Sequence, residues 1–285
     1  MGMHLRLILT GVLIVVLGGV FFAQEAQKEG RVQAVFCDVG QGDGFVIFGG
    51  GGGQIVFDSG LGSKMIDCLG RYMPFWDRKI EIMVITHPQK DHMEGQIEIL
   101  ERYKVGHVLW TGALGSGGLF EDWEKLVREE EAQLYPVARG DRIEFGDVNF
   151  EILWPTKSFM DLWKLAAGSD LNETSIVARM NYGNICAYLT GDVPVEKLED
   201  VIDKNCQILK VAHHGSKSGT SDVALYKMQP KIAVIQVGQS NSYGHPKREV
   251  IESLNKFGVK ILRNDIQGDV LIQFGNGSYE VKSRL

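Results

Sequence analysis

Hydrophobic and polar residues alternate along most of the chain in blocks of strand length and helix length. From residue 31 onward, apolar runs typical of buried strands alternate with segments whose apolar residues recur at helical spacing. The predicted strands cover residues 31–38, 45–48, 54–58, 80–86, 105–110, 141–145, 148–154, 174–182, 185–190, 207–211, 231–237, 259–263 and 269–274. Helices are predicted over 65–73, from about 93, over 120–127, after Pro194 and from about Pro246. This order predicts an α/β (α+β) fold, a four-layer αββα sandwich of two packed sheets with helices outside.

A run of five glycines, Gly49 to Gly53, separates the second and third predicted strands. A phosphate-binding P-loop needs a Lys-Ser/Thr pair and a following helix, and this run has neither. We therefore predict that the glycines form the turn of a hairpin.

The N-terminal residues differ from the rest of the chain. An uncharged, mostly apolar run over residues 7–23 follows Arg6 and ends abruptly at a polar stretch. This layout is typical of a secretory signal peptide or a short membrane anchor, and both alternatives stay open. A buried core helix is disfavoured because nothing amphipathic interrupts the run. We predict an extracytoplasmic protein, membrane-anchored or secreted, with residues 1–30 as the export segment and 31–285 as one domain.

Charge and cysteine content restrict the classes of function. A net charge of −6 and a pI near 5.7 argue against non-specific binding of long nucleic acids, which needs a basic face. The four cysteines form no CxxC pair, which excludes a readable zinc ribbon or thioredoxin-type motif. Their spacing leaves the redox compartment and any disulfide pairing open.

Four potential metal ligands follow the predicted strand 80–86 within six residues: His87, Gln89, Asp91 and His92. Alternate residues of a helix face nearly opposite sides, so convergence of these side chains predicts a tight loop, which Pro88 also favours. Imidazole nitrogen and carboxylate oxygen suit zinc, manganese or iron. Such a segment also occurs by chance at protein surfaces, so alone it does not establish a metal site.

Three further candidates follow predicted strands or precede a helix. The pair His213 and His214 follows the strand 207–211, Asp192 follows the strand 185–190, and His245 precedes Pro246. The alternative for Asp192 is a turn-forming residue, and that for His245 is a helix-capping region. His107 lies inside a predicted strand, so we expect a structural role for it.

Six motifs, in this order and spacing, resemble the metallo-β-lactamase-like domain of ComEC, the competence protein of DNA uptake. They are Asp38-Val39-Gly40-Gln41-Gly42-Asp43, Thr86-His87-Pro88-Gln89-Lys90-Asp91-His92-Met93-Glu94-Gly95, Asn172 with Ser175, Leu189-Thr190-Gly191-Asp192, Leu209-Lys210-Val211-Ala212-His213-His214-Gly215-Ser216 and Asn241-Ser242-Tyr243-Gly244-His245-Pro246. The resemblance spans about residues 32–275 and implies the metallo-β-lactamase fold. The multispanning channel of ComEC has no counterpart in the sequence, so we expect a stand-alone, exported hydrolase.

The resemblance also implies two neighbouring metal positions. One would be held by Asp91, His92, Asp192 and His213. The other would share Asp192 as a bridge and add His87, Gln89 and Asn172. Three carboxylates would orient these ligands: Asp38, Asp43 and Asp58. The remaining side chains, His214, Ser216, Lys217 and His245, would contact the substrate phosphate or leaving group, and the expected catalytic residues are Asp91, His214 and His245.

Gln89 departs from the family pattern, which usually has Asp or His at this position. A neutral amide oxygen holds a divalent ion less tightly than either, so the second ion is expected to be weakly bound. The expected cofactor is zinc or manganese, as one or two ions.

The function that the resemblance implies is metal-dependent hydrolysis of DNA phosphodiesters, with competence machinery as a possible partner and the membrane contacted through the N-terminal segment. One alternative is hydrolysis of another substrate, such as a cell-wall phosphoester, a β-lactam or a thioester. Another, suggested by Gln89, is a metal-depleted binding module. The oligomeric state is left open.

Overall fold

The structure is a computed structural model that describes residues 32–166, 170–275 and 277–283. Its strands are β1 (Gln33–Phe36), β2 (Gly44–Phe48), β3 (Gln54–Asp58), β4 (Lys79–Val84), β5 (Lys104–Trp110), β6 (Gln133–Pro136), β7 (Arg142–Phe145), β8 (Val148–Trp154), β9 (Val177–Tyr182), β10 (Ile185–Leu189), β11 (Ile208–Lys210), β12 (Ile232–Ile235), β13 (Lys260–Arg263), β14 (Val270–Gly275) and β15 (Ser278–Ser283). Its helices are α1 (Lys64–Tyr72), α2 (Lys90–Arg102), α3 (Gly118–Glu129), α4 (Lys157–Trp163), α5 (Val195–Val201), α6 (Asp222–Met228), α7 (Arg248–Lys256) and α8 (Asn264–Gln267). Short 3₁₀ turns occur at Leu171–Thr174, Ala212–Gly215 and Lys217–Gly219.

The described strands form two mixed sheets. The first has the order β15-β14-β1-β2-β3-β4-β5-β6, and the second has the order β13-β12-β11-β10-β9-β8-β7. Helices pack on the outer face of each sheet through buried side chains such as Met65, Ile99 and Trp123 on the first sheet and Leu198, Leu225 and Leu254 on the second. The predicted αββα sandwich is therefore confirmed.

An aromatic row joins the two sheets across the central apolar layer. The ring of Phe45 lies 5.1 Å from Phe36 and 4.7 Å from Phe57, and Phe57 lies 5.6 Å from Phe150 in the second sheet. Each fully buried phenylalanine contributes about 1.5–3 kcal/mol relative to exposure. Burial on both faces explains why these strands read as nearly continuous apolar runs.

Strand direction gives the sandwich two distinct ends. β3, β4 and β5 are parallel, and β1 shares their direction because β2 pairs antiparallel with both β1 and β3. β10, β11 and β12 are also mutually parallel. We call the end at which these strands finish the carboxyl end, and the opposite end the amino end. The glycine run 49–53 is the predicted hairpin turn between β2 and β3, and it lies at the amino end.

Five elements have no counterpart in the sequence prediction: β6, α4, α6, α8 and β15. All four residues of β6 are exposed, so this edge strand carries no apolar pattern to detect. α4 and α6 span only seven residues each, too short for a helical period to stand out.

All four cysteines form disulfides. Cys37, just after β1, pairs with Cys68 in α1, and Cys186 in β10 pairs with Cys206 before β11. Disulfides persist mainly in oxidising compartments. None of the helices in the described residues is long and apolar enough to cross a membrane. The predicted export segment, residues 1–30, lies outside the described residues.

Replacing Cys37 and Cys68 together by alanine should lower the free energy of unfolding by about 3 kcal/mol. The physical reason is that the disulfide joins residues 31 positions apart and so restricts the unfolded chain. Urea unfolding of the oxidised wild type and variant, followed by circular dichroism, measures the difference. Four thiols titrating in the denatured, unreduced wild type would contradict the pairing.

Candidate metal centre

The loop after β4 and the first turn of α2 bring three ionisable side chains to the carboxyl end: His87, Asp91 and His92. α2 begins at Lys90, with Gln89 flanking its first turn, so Asp91 and His92 lie on a helix rather than on the predicted tight loop. Asp91 in that first turn interacts favourably with the positive end of the helix dipole. His87 remains in the loop before the helix and approaches His92, with ring centroids 4.1 Å apart.

Two buried imidazoles lie beside one oxygen of the Asp192 carboxylate, and one of them also approaches Asp91. His92 Nε2 and His214 Nε2 each lie 3.2 Å from Asp192 Oδ2, and His214 Nε2 lies 3.4 Å from Asp91 Oδ2. Tetrahedral ligands about 2.0–2.1 Å from a zinc ion are about 3.3–3.4 Å from one another. These three separations are close to that value, so Asp91, His92, Asp192 and His214 are candidate donors for a metal ion.

His87 supplies a donor atom for a neighbouring position. One donor atom each from His87, His92 and Asp192 lies within 4.8 Å of the other two. His87 Nε2 is buried and makes no hydrogen bond to any described residue. Burial, together with His92, lowers the pKa of His87 to about 3, so its imidazole is neutral and keeps a lone pair for a metal.

Two hydroxyl groups fix the orientation of the His87 ring. Thr86 Oγ1 and Ser175 Oγ each lie 3.1 Å from His87 Nδ1. Thr86 Oγ1 donates its proton to Asp58 Oδ2 at 2.7 Å, so it accepts from His87 and places the proton on Nδ1. The free lone pair is then on Nε2, the buried nitrogen that has no hydrogen-bond partner among the described residues.

The cluster balances its own charge. Burial opposes ionisation of Asp192, but His214 and His92 outweigh it and hold the pKa of this carboxyl well below its usual range. Burial likewise opposes protonation of His92 and His214, but Asp192, together with Asp58 beside His92 and Asp43 beside His214, outweighs burial and raises the pKa of both imidazoles. A divalent cation replaces such protons when it binds, so the electrostatics of the cluster suit a metal ion.

Two of the three predicted orienting carboxylates contact ligand histidines. Asp58 Oδ2 lies 2.8 Å from His92 Nδ1. Asp43 Oδ1 lies 3.2 Å from His214 Nδ1, which also lies 3.0 Å from the Gln236 carbonyl oxygen. Asp38 has a different role: its carboxylate accepts a hydrogen bond from Gly40 N at 3.2 Å and thereby shapes the loop.

Lys210 is a member of the site that residue spacing did not identify. Its side chain is fully buried, forms an ion pair with Asp43, donates to the Gly191 carbonyl at 3.0 Å and lies 4.0 Å from Asp192 Oδ1. A buried charge needs such partners because desolvation is costly. In the sequence, the signal that could have identified Lys210 is a lysine inside an otherwise apolar strand. In the structure, its ion pair with Asp43 positions that carboxylate.

The backbone separates the two adjacent histidines. His213 and His214 have φ of 52° and 54°, a left-handed conformation that costs non-glycine residues about 1–3 kcal/mol each. His214 is buried in the cluster, whereas the side chain of His213 is 28% exposed and its Nε2 lies 3.8 Å from Asp192 Oδ2. The resemblance assigned His213 to the metal and His214 to the substrate; in the structure His214 Nε2, at 3.2 Å, lies closer to Asp192 Oδ2 than His213 Nε2 does, and the assignment stays a prediction.

Two motif glycines permit the close approach of loops around the ligands. A Cβ on Gly42, whose φ is 124°, would lie 2.0 Å from the Asp91 carbonyl oxygen. A Cβ on Gly95 in α2 would lie 2.5 Å from the Ser59 carbonyl oxygen. Any side chain at these positions would displace the segment that carries Asp91 and His92.

The two predicted amide ligands are less well defined. Gln89 is half-buried beside the first turn of α2. Asn172 Oδ1 is buried and has no hydrogen-bond partner among the described residues. Asn172 lies in the 3₁₀ turn that leads into Ser175, which contacts His87. Both amide oxygens remain predicted ligands of the second position.

A ladder of aromatic rings leads from the cluster to the surface. Ring centroids are 6.0 Å apart for His213 and His214, 5.9 Å for His213 and His245, and 5.8 Å for His245 and Tyr243. The last pair is stacked, and Tyr243 is 61% exposed. His245 therefore lies between the candidate ligands and an exposed aromatic surface.

The other predicted substrate contacts have protein partners. Ser216 Oγ accepts from Ser218 N at 3.4 Å and lies 3.0 Å from Ser218 Oγ. Lys217 Nζ lies 2.5 Å from Glu249 Oε1. His107 is exposed on β5 beside Tyr135, outside the cluster, in line with its expected structural role.

The comparisons with known proteins support the resemblance. No family model matches the sequence. The chain is similar to ComE operon protein 3 of Bacillus subtilis, with 28% identity over 89% of this chain, and to competence protein ComA of Neisseria gonorrhoeae, with 26% identity over 95%. It spans about a third of their length, 34% and 36% respectively. The resemblance to ComEC-type competence proteins is thereby confirmed.

Solved structures identify the fold. A metal-dependent hydrolase of the β-lactamase superfamily matches with a TM-score of 0.55 and 12% identity over 87% of this chain and 100% of that chain. Zn²⁺-bound PqqB from Methylobacterium extorquens matches with a TM-score of 0.54 and 10% identity, over 85% of this chain and 100% of that chain. A diphosphatase from the PhnP family matches with a TM-score of 0.51 and 14% identity, over 86% of this chain and 98% of that chain. The chain has the metallo-β-lactamase fold.

His214→Ala should reduce zinc affinity by at least about a hundredfold, because it removes a buried donor and leaves Asp91 and Asp192 without their shared imidazole. His213→Ala should reduce it less, because its ring lies farther from Asp192. Metal analysis after dialysis and calorimetric titration with zinc measure both. His107→Ala is the matched control and should bind like wild type. A larger loss in His213→Ala than in His214→Ala would support the assignment implied by the resemblance.

Proposed function

We propose that this protein is a metal-dependent phosphodiesterase that cleaves DNA outside the cytoplasm. The observation that carries the proposal is the cluster of Asp91, His92, Asp192 and His214, whose measured donor separations are close to those of zinc ligands. The names of similar proteins support this proposal, because the curated relatives include a competence protein and the solved structures include a diphosphatase.

The cluster defines where the reaction would occur. One or two zinc or manganese ions would supply Lewis-acid activation of water and neutralise charge on the phosphoryl oxygens. Asp91 and Asp192 provide the anionic donors for such ions. Asp58 contacts Nδ1 of His92, and Asp43 contacts Nδ1 of His214. These contacts orient the Nε2 atoms of both rings before substrate binds.

His245 is placed to act on the leaving group. Its Nδ1 is buried without a hydrogen-bond partner among the described residues, and its backbone is held by Asn241, which accepts from His245 N at 2.9 Å and donates to its carbonyl at 2.8 Å. Burial, His213 and His214 lower the pKa of His245 to about 4. A phosphate anion beside the ring would raise that pKa again and favour proton donation to the departing oxygen. His214, enclosed by carboxylates, is less available for this role.

The exposed end of the ladder supports a nucleic acid over a wall polymer. Tyr243 stacked on His245 offers an aromatic surface to a nucleobase, and such stacking contributes about 1–3 kcal/mol per base. Lys247 donates to the Tyr243 carbonyl at 2.7 Å and so keeps a cation beside the backbone of Tyr243. A net charge of −6 is compatible with such a local contact to DNA, because the contact requires no extended basic face.

The disulfides support a location outside the cytoplasm. Both pairs, Cys37–Cys68 and Cys186–Cys206, require an oxidising compartment to persist. Together with the apolar run 7–23, they favour an exported protein, anchored or secreted.

Asp91→Ala should abolish manganese- or zinc-dependent cleavage of DNA and of bis-p-nitrophenyl phosphate by the full chain, because the cluster loses an anionic donor. Asp122→Ala, an exposed aspartate on α3, is the matched control and should retain activity. Product formation is followed by gel electrophoresis and by nitrophenol absorbance. Cleavage of the small diester but not of DNA would favour a cell-wall phosphoester. No turnover with any divalent metal would favour the metal-depleted binding module.

Tyr243→Ala should lower kcat/KM for a single-stranded oligonucleotide by about tenfold, because a base loses its stacking surface. Tyr243→Phe should restore the rate, and Tyr226→Ala, an exposed tyrosine on α6, should leave it unchanged. An oligonucleotide of abasic sites has the same phosphates and no bases. The proposed stacking role fails if Tyr243→Ala slows cleavage of the abasic strand equally.

A further inference from the structure

An exposed aromatic pair forms the tip of the turn between α1 and β4. Phe75 is 82% exposed and Trp76 is 60% exposed. Their rings meet edge to face, with centroids 4.8 Å apart. Two adjacent exposed aromatic rings form a contiguous apolar patch, which makes the pair a candidate interaction surface.

Hydrogen bonds hold this turn in place. Asp77 N donates to the Pro74 carbonyl oxygen at 2.9 Å, which closes a turn with the two aromatic residues at its centre. The Asp77 carboxylate accepts from Gln54 Nε2 at 2.8 Å and from Lys79 N at 3.1 Å. The rings are therefore displayed outward on an ordered support.

The turn lies at the amino end, beside the point where the chain enters the fold. In the sheet, Gln33 at the start of β1 pairs with Phe48, and Phe48 pairs with Gln54, which binds the turn. Two strand spacings of about 4.8 Å thus separate the first residue of β1 from the strand that supports the turn. The candidate metal centre is at the carboxyl end, on the far side of the sandwich.

The sequence immediately before β1 contains the apolar run. Residues 24–31, eight residues, separate that run from Val32. A chain of eight residues reaches at most about 28 Å. A membrane entered by residues 7–23 is thus within a short distance of the amino end.

Cations flank the aromatic pair. Arg78 and Lys79 follow the turn directly, and Lys104 N donates to the Arg78 carbonyl at 2.7 Å. All three side chains are exposed. Aromatic residues beside lysine and arginine are typical of protein segments at the headgroup level of anionic membranes.

We propose that the Phe75–Trp76 turn inserts into the headgroup region of the bilayer to which residues 7–23 attach the protein. The amino end then rests on the membrane, and the candidate metal centre faces away from it. This proposal is independent of the reaction catalysed, but it requires that the apolar run is retained as an anchor.

Tryptophan quenching in the full chain tests the proposal. The five tryptophans are Trp76, Trp110, Trp123, Trp154 and Trp163, and residues 1–31 contain none. Only Trp76 lies at the tip of an amino-end turn: Trp123 is buried in the core, and the others follow or end strands at the carboxyl end. In phosphatidylglycerol vesicles with brominated acyl chains, wild-type emission should fall relative to unbrominated vesicles. Trp76→Phe should abolish that fall, and Trp163→Phe should retain it.

Each other result rejects the proposal. Equal quenching in wild type and Trp76→Phe would place the contact elsewhere. A wild-type chain that floats with the vesicles but shows no quenching would leave the turn in water. Failure to float would remove the anchor on which the proposal depends. An emission shift that depends on protein concentration, without bromine quenching, would assign the aromatic pair to a second copy of the chain.

Discussion

The structure of the carboxyl end depends on the charge of the Asp192 carboxylate. Asp43, Asp58 and Asp192 are all buried, and one fixed cation, Lys210, offsets part of their charge through its ion pair with Asp43. Burying unbalanced charge costs several kcal/mol per ion, so the remainder must be met by other positive groups. Protons on His92 and His214, or a divalent ion between them, meet the same requirement.

The backbone around this cluster is strained and tightly packed, because it must bring the ligand side chains close to Asp192. The left-handed conformation of His213 and His214 directs the second imidazole toward Asp192, although each residue loses stability by adopting it. Gly42 allows the loop that ends at Asp43 to contact the Asp91 carbonyl directly. Local strain is offset by the packing of three apolar layers and by two disulfides, which fix the strands that precede the candidate ligands.

The sequence predicts the sandwich because its inner strands are buried on both faces and its glycine run closes a hairpin. It also identifies the candidate ligand segments, since histidine and aspartate at strand ends are conspicuous. It does not distinguish His213 from His214, because the choice depends on backbone dihedrals that residue types do not reveal. The ladder from His214 to Tyr243 escapes detection for another reason: its members come from two segments about thirty residues apart, joined only by the fold.

Because the central strands are parallel, the candidate metal centre and the proposed membrane contact lie at opposite ends of the sandwich. Because β1, β3, β4 and β10 to β12 share their direction within each sheet, every loop that follows them contributes to the candidate metal centre. The same directionality places the start of β1 and the Phe75–Trp76 turn at the amino end. An attachment at that end leaves the ligand loops, and the aromatic ladder beside them, open to a polymeric substrate from the opposite side. The separation follows from strand direction alone, so the site and the attachment surface impose few constraints on each other's residues.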